Sequence, residues 1–87
     1  MSYRIKCDSC LGYTTEADEG LIRCFDPRDR CNASEQVYGF DLIDTGEGYT
    51  IECACGCKEV SVTEGYELEC PLCSELFWLS EFTLEAV

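Results

Sequence analysis

The cysteines constrain this chain more than any other feature. Nine of the 87 residues are cysteine and none is histidine. Five of the cysteines lie in the stretch ECACGCKEVSVTEGYELECPLC, residues 52 to 73, crowded toward its two ends. A chain this short buries only about 60% of the surface that its unfolded form exposes, so an apolar core alone gives marginal stability. A cysteine density of this kind indicates either a disulfide framework or metal sites.

The redox compartment separates these two options. The N-terminal sequence MSYRIKCDSC lacks the apolar stretch of a signal peptide, and no run of residues approaches the roughly 18 apolar residues of a membrane span. We therefore expect a cytoplasmic protein with no membrane segment. Disulfides are not maintained in a reducing cytosol, and an odd number of cysteines fits poorly with full pairing. The sequence favours metal sites, and the disulfide alternative would require an exported mature chain.

The spacing of the cysteines reveals an internal repeat. Each half of the chain has a close cysteine pair, a spacer of 13 or 14 residues and a second pair. Eight thiolates would fill two tetrahedral four-cysteine sites and leave one cysteine over. Without histidine, a structural zinc site must be all-sulfur or recruit an acidic oxygen.

The spacers predict a β-hairpin in each half. Each contains a Glu-Gly pair past its middle, at residues 19–20 and 64–65, where glycine can adopt the positive φ of a tight turn. In the second half, residues 49–53, 60–63 and 66–70 alternate apolar and polar side chains, as strands do. A lone hairpin is marginal in water, but a metal ion bound at its base adds its binding free energy to folding. Cysteines at the strand ends are suited to that role.

These residues resemble the zinc-ribbon class, in which two cysteine knuckles lie on a β-hairpin and C-P-x-C is a frequent second knuckle. The resemblance covers residues 49–79 well and residues 3–31 loosely, because Leu11 follows the first knuckle and the loop FDPRDR separates the last two cysteines of that half. It implies two zinc ions. Their ligands would be Cys7, Cys10, Cys24 and Cys31 for one ion, and Cys53, Cys55, Cys70 and Cys73 for the other. Cys57 competes with Cys53 for the second ion, and Gly56 after Cys55 favours Cys53.

We therefore predict a small β-rich, metal-stapled fold built from two zinc-ribbon-like β-hairpin modules. The first module spans residues 1–34, a connecting strand or linker spans residues 35–48, and the second module spans residues 49–87. The tail of the second module, SELFWLSEFTLEAV, fits either a short helix or a strand.

A second resemblance, to rubredoxins, implies a different grouping of cysteines. The segments CDSCLGYTTEADEG and YELECPLCSELFWLSEF are similar to the two iron-binding segments of that family. The resemblance implies one iron ion shared by Cys7, Cys10, Cys70 and Cys73, and a role in electron transfer. Four thiolates suit iron as well as zinc. The gap between these pairs is longer than in rubredoxins, and the internal repeat accounts for more residues, so we favour zinc.

Charge is distributed unevenly along the chain. Residues 1–34 contain six acidic and five basic residues, whereas residues 35–87 contain twelve acidic residues and one basic residue, Lys58. Neutralising phosphates needs lysine and arginine, so we expect no direct binding to DNA or RNA. Three arginines form a small basic cluster, namely Arg23, Arg28 and Arg30. We interpret them as charge partners of Asp26 and Asp29.

These features predict a noncatalytic adaptor or modulator. The sequence has no histidine for a catalytic triad and no glycine-rich phosphate loop, and a zinc ion held by four thiolates has no open position for water. The expected partner is a protein with a basic surface. The candidate contact residues are Trp78, Phe77, Phe82, Glu64, Glu67 and Glu69. The alternatives are that the aromatic residues form core and the glutamates a solvated face, or that the chain imitates nucleic acid and inhibits a nucleic-acid-binding protein.

Overall fold

The computed structural model describes residues 2–18, 20–27 and 30–87, and every regular element in these residues is a β-strand. None of the described residues forms a helix long and apolar enough to cross a membrane. The strands are β1 Tyr3–Cys7, β2 Thr15–Asp18, β3 Leu21–Cys24, β4 Ser34–Gln36, β5 Phe40–Asp44, β6 Tyr49–Cys53, β7 Ser61–Thr63, β8 Glu67–Glu69, β9 Leu76–Trp78 and β10 Phe82–Ala86. The predicted small β-rich fold is confirmed, and the tail forms two strands.

Three antiparallel sheets make up the fold. The central sheet has the strand order β10-β1-β6-β5, and the two smaller sheets have the orders β2-β3-β4 and β7-β8-β9. The predicted hairpins are present as β2–β3 and β7–β8. Strands from all three predicted segments meet in the central sheet, and the segment boundaries at residues 34 and 48 stay a prediction.

The two halves of the chain have the same element order and exchange one strand. In each half a long strand leads into a three-stranded sheet and a second long strand follows, so that β1–β5 match β6–β10. The last strand of each half pairs with the first strand of the other: β10 with β1, and β5 with β6. Tyr3 and Tyr49, at matching positions, pair with each other where β1 meets β6. The central sheet therefore joins the halves through an internal pseudo-twofold arrangement.

The core follows the same duplication. The buried apolar side chains of the described residues form seven matched pairs and leave one residue, Cys57, without a counterpart. The pairs are Ile5 and Ile51, Cys7 and Cys53, Ile22 and Leu68, Cys24 and Cys70, Val37 and Leu79, Phe40 and Phe82, and Leu42 and Leu84. Four of the paired residues are cysteines, and the unpaired Cys57 is a fifth. The apolar core and the cysteine groups are therefore continuous with each other.

Each hairpin turn forms a backbone hydrogen bond with a later part of the chain. Gly20 and Gly65 both have positive φ, of 87° and 83°, as the predicted turns require, while Glu19 lies outside the described residues. The Gly20 carbonyl accepts a hydrogen bond from Val37 N–H at 2.7 Å, and the Gly65 carbonyl accepts one from Leu84 N–H at 2.7 Å. A Cβ atom at Gly65 would lie 2.7 Å from the Leu84 carbonyl oxygen. Glycine is needed there both for its φ and for this close approach.

Substitution of Phe82 by alanine should strongly destabilise the protein. The ring is fully buried on β10 among residues of both halves, and truncating a buried phenylalanine costs about 3–5 kcal/mol. The measurement is denaturant unfolding with metal in excess. The control is Phe25→Ala, the same substitution at a side chain that is 52% exposed. Equal midpoints for the two variants would contradict the placement of Phe82 in the core.

Candidate metal centres

The first cysteine group gathers four thiols at the base of the β2–β3 hairpin. Cys7 ends β1 and Cys24 ends β3, while Cys10 and Cys31 lie in the loops that follow. Their four Sγ atoms lie within 4.8 Å of one another. The Cys7 and Cys31 sulfurs are 3.6 Å apart, and those of Cys10 and Cys24 are 3.7 Å apart.

The second group repeats this geometry at the base of the β7–β8 hairpin. Its members Cys53, Cys55, Cys70 and Cys73 also have Sγ atoms within 4.8 Å of one another. The Cys53 and Cys73 sulfurs are 3.4 Å apart, and those of Cys55 and Cys70 are 3.7 Å apart. The two close sulfur pairs are therefore equivalent in the two groups: Cys53–Cys73 corresponds to Cys7–Cys31, and Cys55–Cys70 corresponds to Cys10–Cys24.

Both groups fit a tetrahedral metal ion and not disulfides. A disulfide has an S–S distance of about 2.05 Å, and all nine cysteines are free thiols. Four sulfurs at the Zn–S distance of about 2.3 Å would lie about 3.8 Å apart in a regular tetrahedron, close to the four sulfur–sulfur distances given above. The two four-cysteine groups can therefore hold metal ions, and iron and zinc both suit this ligand set.

Backbone hydrogen bonds shape the first knuckle of each half in the same way. Cys7 N–H donates to the Gly12 carbonyl at 2.8 Å, and Leu11 N–H donates to the Cys7 carbonyl at 2.8 Å. In the second half, Cys53 N–H donates to the carbonyl of Cys57, and Gly56 N–H to that of Cys53, both at 2.8 Å. Leu11 therefore occupies the position of Gly56, and both have positive φ, of 60° and 97°. This conformation costs a leucine about 1–2 kcal/mol.

The second knuckles of the two halves differ in length but are closed by equivalent backbone hydrogen bonds. Cys70 N–H donates to the Glu75 carbonyl at 2.9 Å, and Cys24 N–H donates to the Ala33 carbonyl at 2.9 Å. The longer loop FDPRDR, whose Arg28 and Asp29 lie outside the described residues, is joined by Cys31 N–H to the Asp26 carbonyl at 3.2 Å. The extra residues are thus accommodated without displacing the last cysteine of the first group. Arg23, interpreted from sequence as a partner of Asp26 or Asp29, forms an ion pair with Glu16 at 3.6 Å.

Burial and repulsion from neighbouring thiolates oppose the ionisation of Cys24 in the first group and of Cys53 in the second. The backbone N–H of Cys73 lowers the pKa of the Cys70 thiol to about 6, against the opposing effect of burial. Burial raises the pKa of Cys24 to about 12. At Cys53 a backbone N–H favours the thiolate, but burial and the neighbouring thiols raise its pKa to about 12. A divalent cation would offset this repulsion and release the remaining protons.

Cys57 lies beside the second group but outside it. Its side chain is buried, and its Sγ accepts a hydrogen bond from Glu59 N–H at 3.4 Å. The sulfurs that lie within 4.8 Å of one another include Cys53 and not Cys57. The rubredoxin-like grouping is not formed either, because Cys7 and Cys10 belong to one group and Cys70 and Cys73 to the other.

The candidate partner-binding residues occupy different environments. Trp78 is 63% exposed and pairs with Glu67 across β8 and β9, while Leu76 pairs with Glu69 two positions away on the same face. We name this exposed surface the Trp78 face; it comprises Glu67, Glu69, Leu76 and Trp78. It brings together three of the candidate residues.

The other three candidates lie away from the Trp78 face. Phe77 is partly buried on the opposite side of β9, with its ring centroid 6.4 Å from that of Tyr38. Phe82 is fully buried and is part of the core, so it offers no surface to a partner. Glu64 lies in the hairpin turn and accepts a hydrogen bond from the Tyr66 hydroxyl at 3.2 Å.

Sequence reasoning missed a cleft between β6 and β7, with a volume of about 770 Å³. Its apolar residues follow the ordinary alternation of the two strands, so no local signal distinguishes them from other strand residues. Comparisons with family models, curated proteins and solved structures found no match to the chain.

Proposed function

We propose that this chain is a noncatalytic zinc-binding adaptor or modulator of the zinc-ribbon class, which acts in the cytoplasm through contact with another protein. In this proposal Cys7, Cys10, Cys24 and Cys31 hold one structural zinc ion, and Cys53, Cys55, Cys70 and Cys73 hold a second. We propose zinc and not iron because the cysteines group within each half, and not in the grouping that the rubredoxin resemblance implies.

A binding role, and not catalysis, is supported by the ligand sets. Four protein sulfurs complete the tetrahedral coordination of zinc and leave no position for water or substrate. The chain also has no histidine to serve as a general base. The metal ions would then maintain a small surface in a fixed shape, and that surface would perform the function.

The Trp78 face is the observation that carries the proposal. Its tryptophan is 63% exposed, and the pairing of β8 with β9 places Glu67 directly beside it. Tryptophan is enriched among the few residues that carry most of the binding energy of protein interfaces. Neighbouring carboxylates would attract a basic surface and accelerate its association. The combination fits a partner protein with a basic patch around an apolar pocket.

The Trp78→Ala substitution should abolish capture of this partner. Immobilised metal-loaded protein would be incubated with nuclease-treated cell extract, and the retained partner would be identified and measured by titration. We expect an affinity loss of about thirtyfold or more, since truncating an aromatic hot-spot residue costs about 2 kcal/mol. The double variant Glu67→Gln/Glu69→Gln should weaken binding by less than Trp78→Ala does. Its effect on the affinity should be larger at low salt than at high salt.

Tyr38→Ala is the matched control, because Tyr38 is 70% exposed and contacts Phe77 on the other side of β9. It should leave capture unchanged. Equal retention by the wild type and the Trp78→Ala variant would contradict the proposal. If the retained proteins bind nucleic acid and are displaced by added duplex DNA whether or not Trp78 is present, the nucleic-acid mimic becomes the better explanation.

A further inference from the structure

In the first half of the protein β1 and β2 are in contact, whereas a cleft separates their counterparts β6 and β7 in the second half. We name it the β6–β7 cleft. It has a volume of about 770 Å³, within the range of ligand pockets. The residues that the argument uses are Ile43, Ile51, Glu52, Glu59, Val60 and Val62. Because the two halves share one architecture, the first half shows what normally fills this space.

In the first half, specific contacts close the corresponding space between β1 and β2. The Thr15 hydroxyl donates a hydrogen bond to the Ile5 carbonyl at 2.8 Å. The Tyr13 hydroxyl donates to Glu85 at 2.7 Å, and the Arg4 guanidinium lies 4.4 Å from the centroid of the Tyr13 ring while also pairing with Glu85 at 3.2 Å. These contacts hold β2 against the central sheet.

The second half lacks every one of these contacts at its matching positions. The match is fixed by strand pairing, since Val62 pairs with Leu68 as Ala17 pairs with Ile22. Val60 stands at the position of Thr15, and Lys58 at that of Tyr13. Thr50 stands at the position of Arg4, and Ile43 at that of Glu85. Valine has no hydroxyl to donate, and the other three can form neither the ion pair nor the ring contact. The cleft is therefore a consequence of particular substitutions between two otherwise similar halves.

β7 presents a strand edge to the cleft, and β6, which pairs with β5 on one side and with β1 only through Tyr49 on the other, presents part of its second side. Among the described strands, β7 pairs with β8 alone, so its other edge borders the cleft. Ala54 N–H donates a hydrogen bond to the Gly39 carbonyl of the neighbouring segment at 3.0 Å. Because hydrogen-bonded and non-hydrogen-bonded pairs alternate along an antiparallel ladder, the N–H and C=O groups of Ile51 on β6 point away from β5. Strand edges recognise an extended peptide through its backbone.

The side chains around the cleft specify the chemistry of its occupant. Ile51, Val60 and Val62 line the cleft with apolar side chains, and Glu52 and Glu59 line it with carboxylates. Lys58 also lines the cleft, so its charged lining consists of two carboxylates and one ammonium group, and the rest of residues 35–87 carries ten further acids and no other base. An occupant with positive charge at its edges and an apolar side chain between them complements this arrangement.

We propose that the β6–β7 cleft binds an extended segment of a partner protein, in which an apolar residue is flanked by lysine or arginine. The segment lies between β6 and β7 as an added strand and places its apolar side chain on Ile51 and Val62. The proposal rests on the proposed binding role and names a second contact of the same partner, separate from the Trp78 face.

The test uses the full metal-loaded chain and a phage-displayed library of random peptides of about eight residues, long enough to span the cleft as a strand. Peptides that are enriched would be synthesised and titrated into ¹⁵N-labelled protein. We expect basic and apolar residues to alternate in them, and backbone resonances of Ile51, Val60 and Val62 to shift. The Glu52→Lys/Glu59→Lys variant should bind them about tenfold more weakly, and increasing salt should weaken binding to the wild type.

Two controls separate this inference from the proposed function. Trp78→Ala should leave peptide binding unchanged while abolishing partner capture. Peptides that shift only residues of the Trp78 face would overturn the cleft proposal and leave the adaptor proposal standing. The proposal is also overturned if no peptide is enriched, if the enriched peptides are acidic, or if the cleft resonances shift with protein concentration alone, which would identify a second copy of the chain as the occupant.

Discussion

Chelation of the metal ions that we propose for the two cysteine groups is expected to unfold the whole chain. Cys7, Cys24, Cys53 and Cys70 belong both to the metal groups and to the buried core, so losing the ions leaves crowded thiols inside it. Each structural zinc ion contributes about 10–16 kcal/mol in small zinc-finger peptides, whereas a whole domain is stable by only about 5–15 kcal/mol. Chelator titration, followed by circular dichroism and Trp78 fluorescence, should show loss of structure together with loss of two metal ions per chain.

The control for this experiment is the same chelator already saturated with zinc, which should leave the spectra unchanged. Elemental analysis of protein purified without added metal should give two zinc ions and no visible colour, and denatured protein should give nine titratable thiols. One iron ion with a red chromophore would favour electron transfer. A fold that persists without metal and with few free thiols would support the disulfide alternative instead.

The local parts of the fold could be predicted from the sequence because their signals are local. The spacing of Cys70 and Cys73 defines a knuckle, and Gly65 has the positive φ that its place in the spacer predicted. The alternation of residues 49–53 and 66–70 predicted strands that are present as β6 and β8. Each of these features depends on residues fewer than about ten positions apart, which is the range that strand and turn patterns report.

The exchange of strands between the halves could not be predicted in this way. The segments containing Phe40 and Phe82 have the same alternation, FDL and FTL, so the pattern does not say which of them pairs with β1. The structure pairs residues 3–7 with residues 82–86, almost the full length of the chain apart. This choice depends on how two hairpins and two cysteine groups pack together, which no short window of sequence contains. The sequence leaves Phe82 open as either a core residue or a contact residue, and the structure buries it fully.

The exchange of strands also joins the two halves of the chain into one structural unit. If β5 paired with β1 within its own half, each module would be a separate domain with one metal ion and a very small core. With the observed pairing, β1 and β6 lie at the centre of one sheet, and each leads directly into a cysteine group through Cys7 or Cys53. A cysteine of each group therefore belongs to a strand that pairs with the other half.

Cys53→Ala and Cys57→Ala form a matched pair that tests the ligand assignment in the second group. Both side chains are buried, at 2% and 8% exposure, and both thiols lie near Cys70. Only Cys53 belongs to the group of four sulfurs within 4.8 Å. We expect Cys53→Ala to reduce the metal content from two ions to one and to unfold the β7–β8 hairpin. Cys57→Ala should keep two ions and lose only the packing of one sulfur atom, about 1 kcal/mol.

Metal content by elemental analysis and the free energy of unfolding would be measured on both variants at the same free zinc concentration. The size of the expected difference follows from coordination: an ion with three sulfurs has an open position and a weakened site, whereas an ion with four is unaffected by a neighbouring methyl group. If Cys57→Ala loses an ion and Cys53→Ala retains both, the overlapping C-x-C register is the correct one. The knuckle would then begin at Cys55, and Gly56 would lie between the two ligands instead of after them.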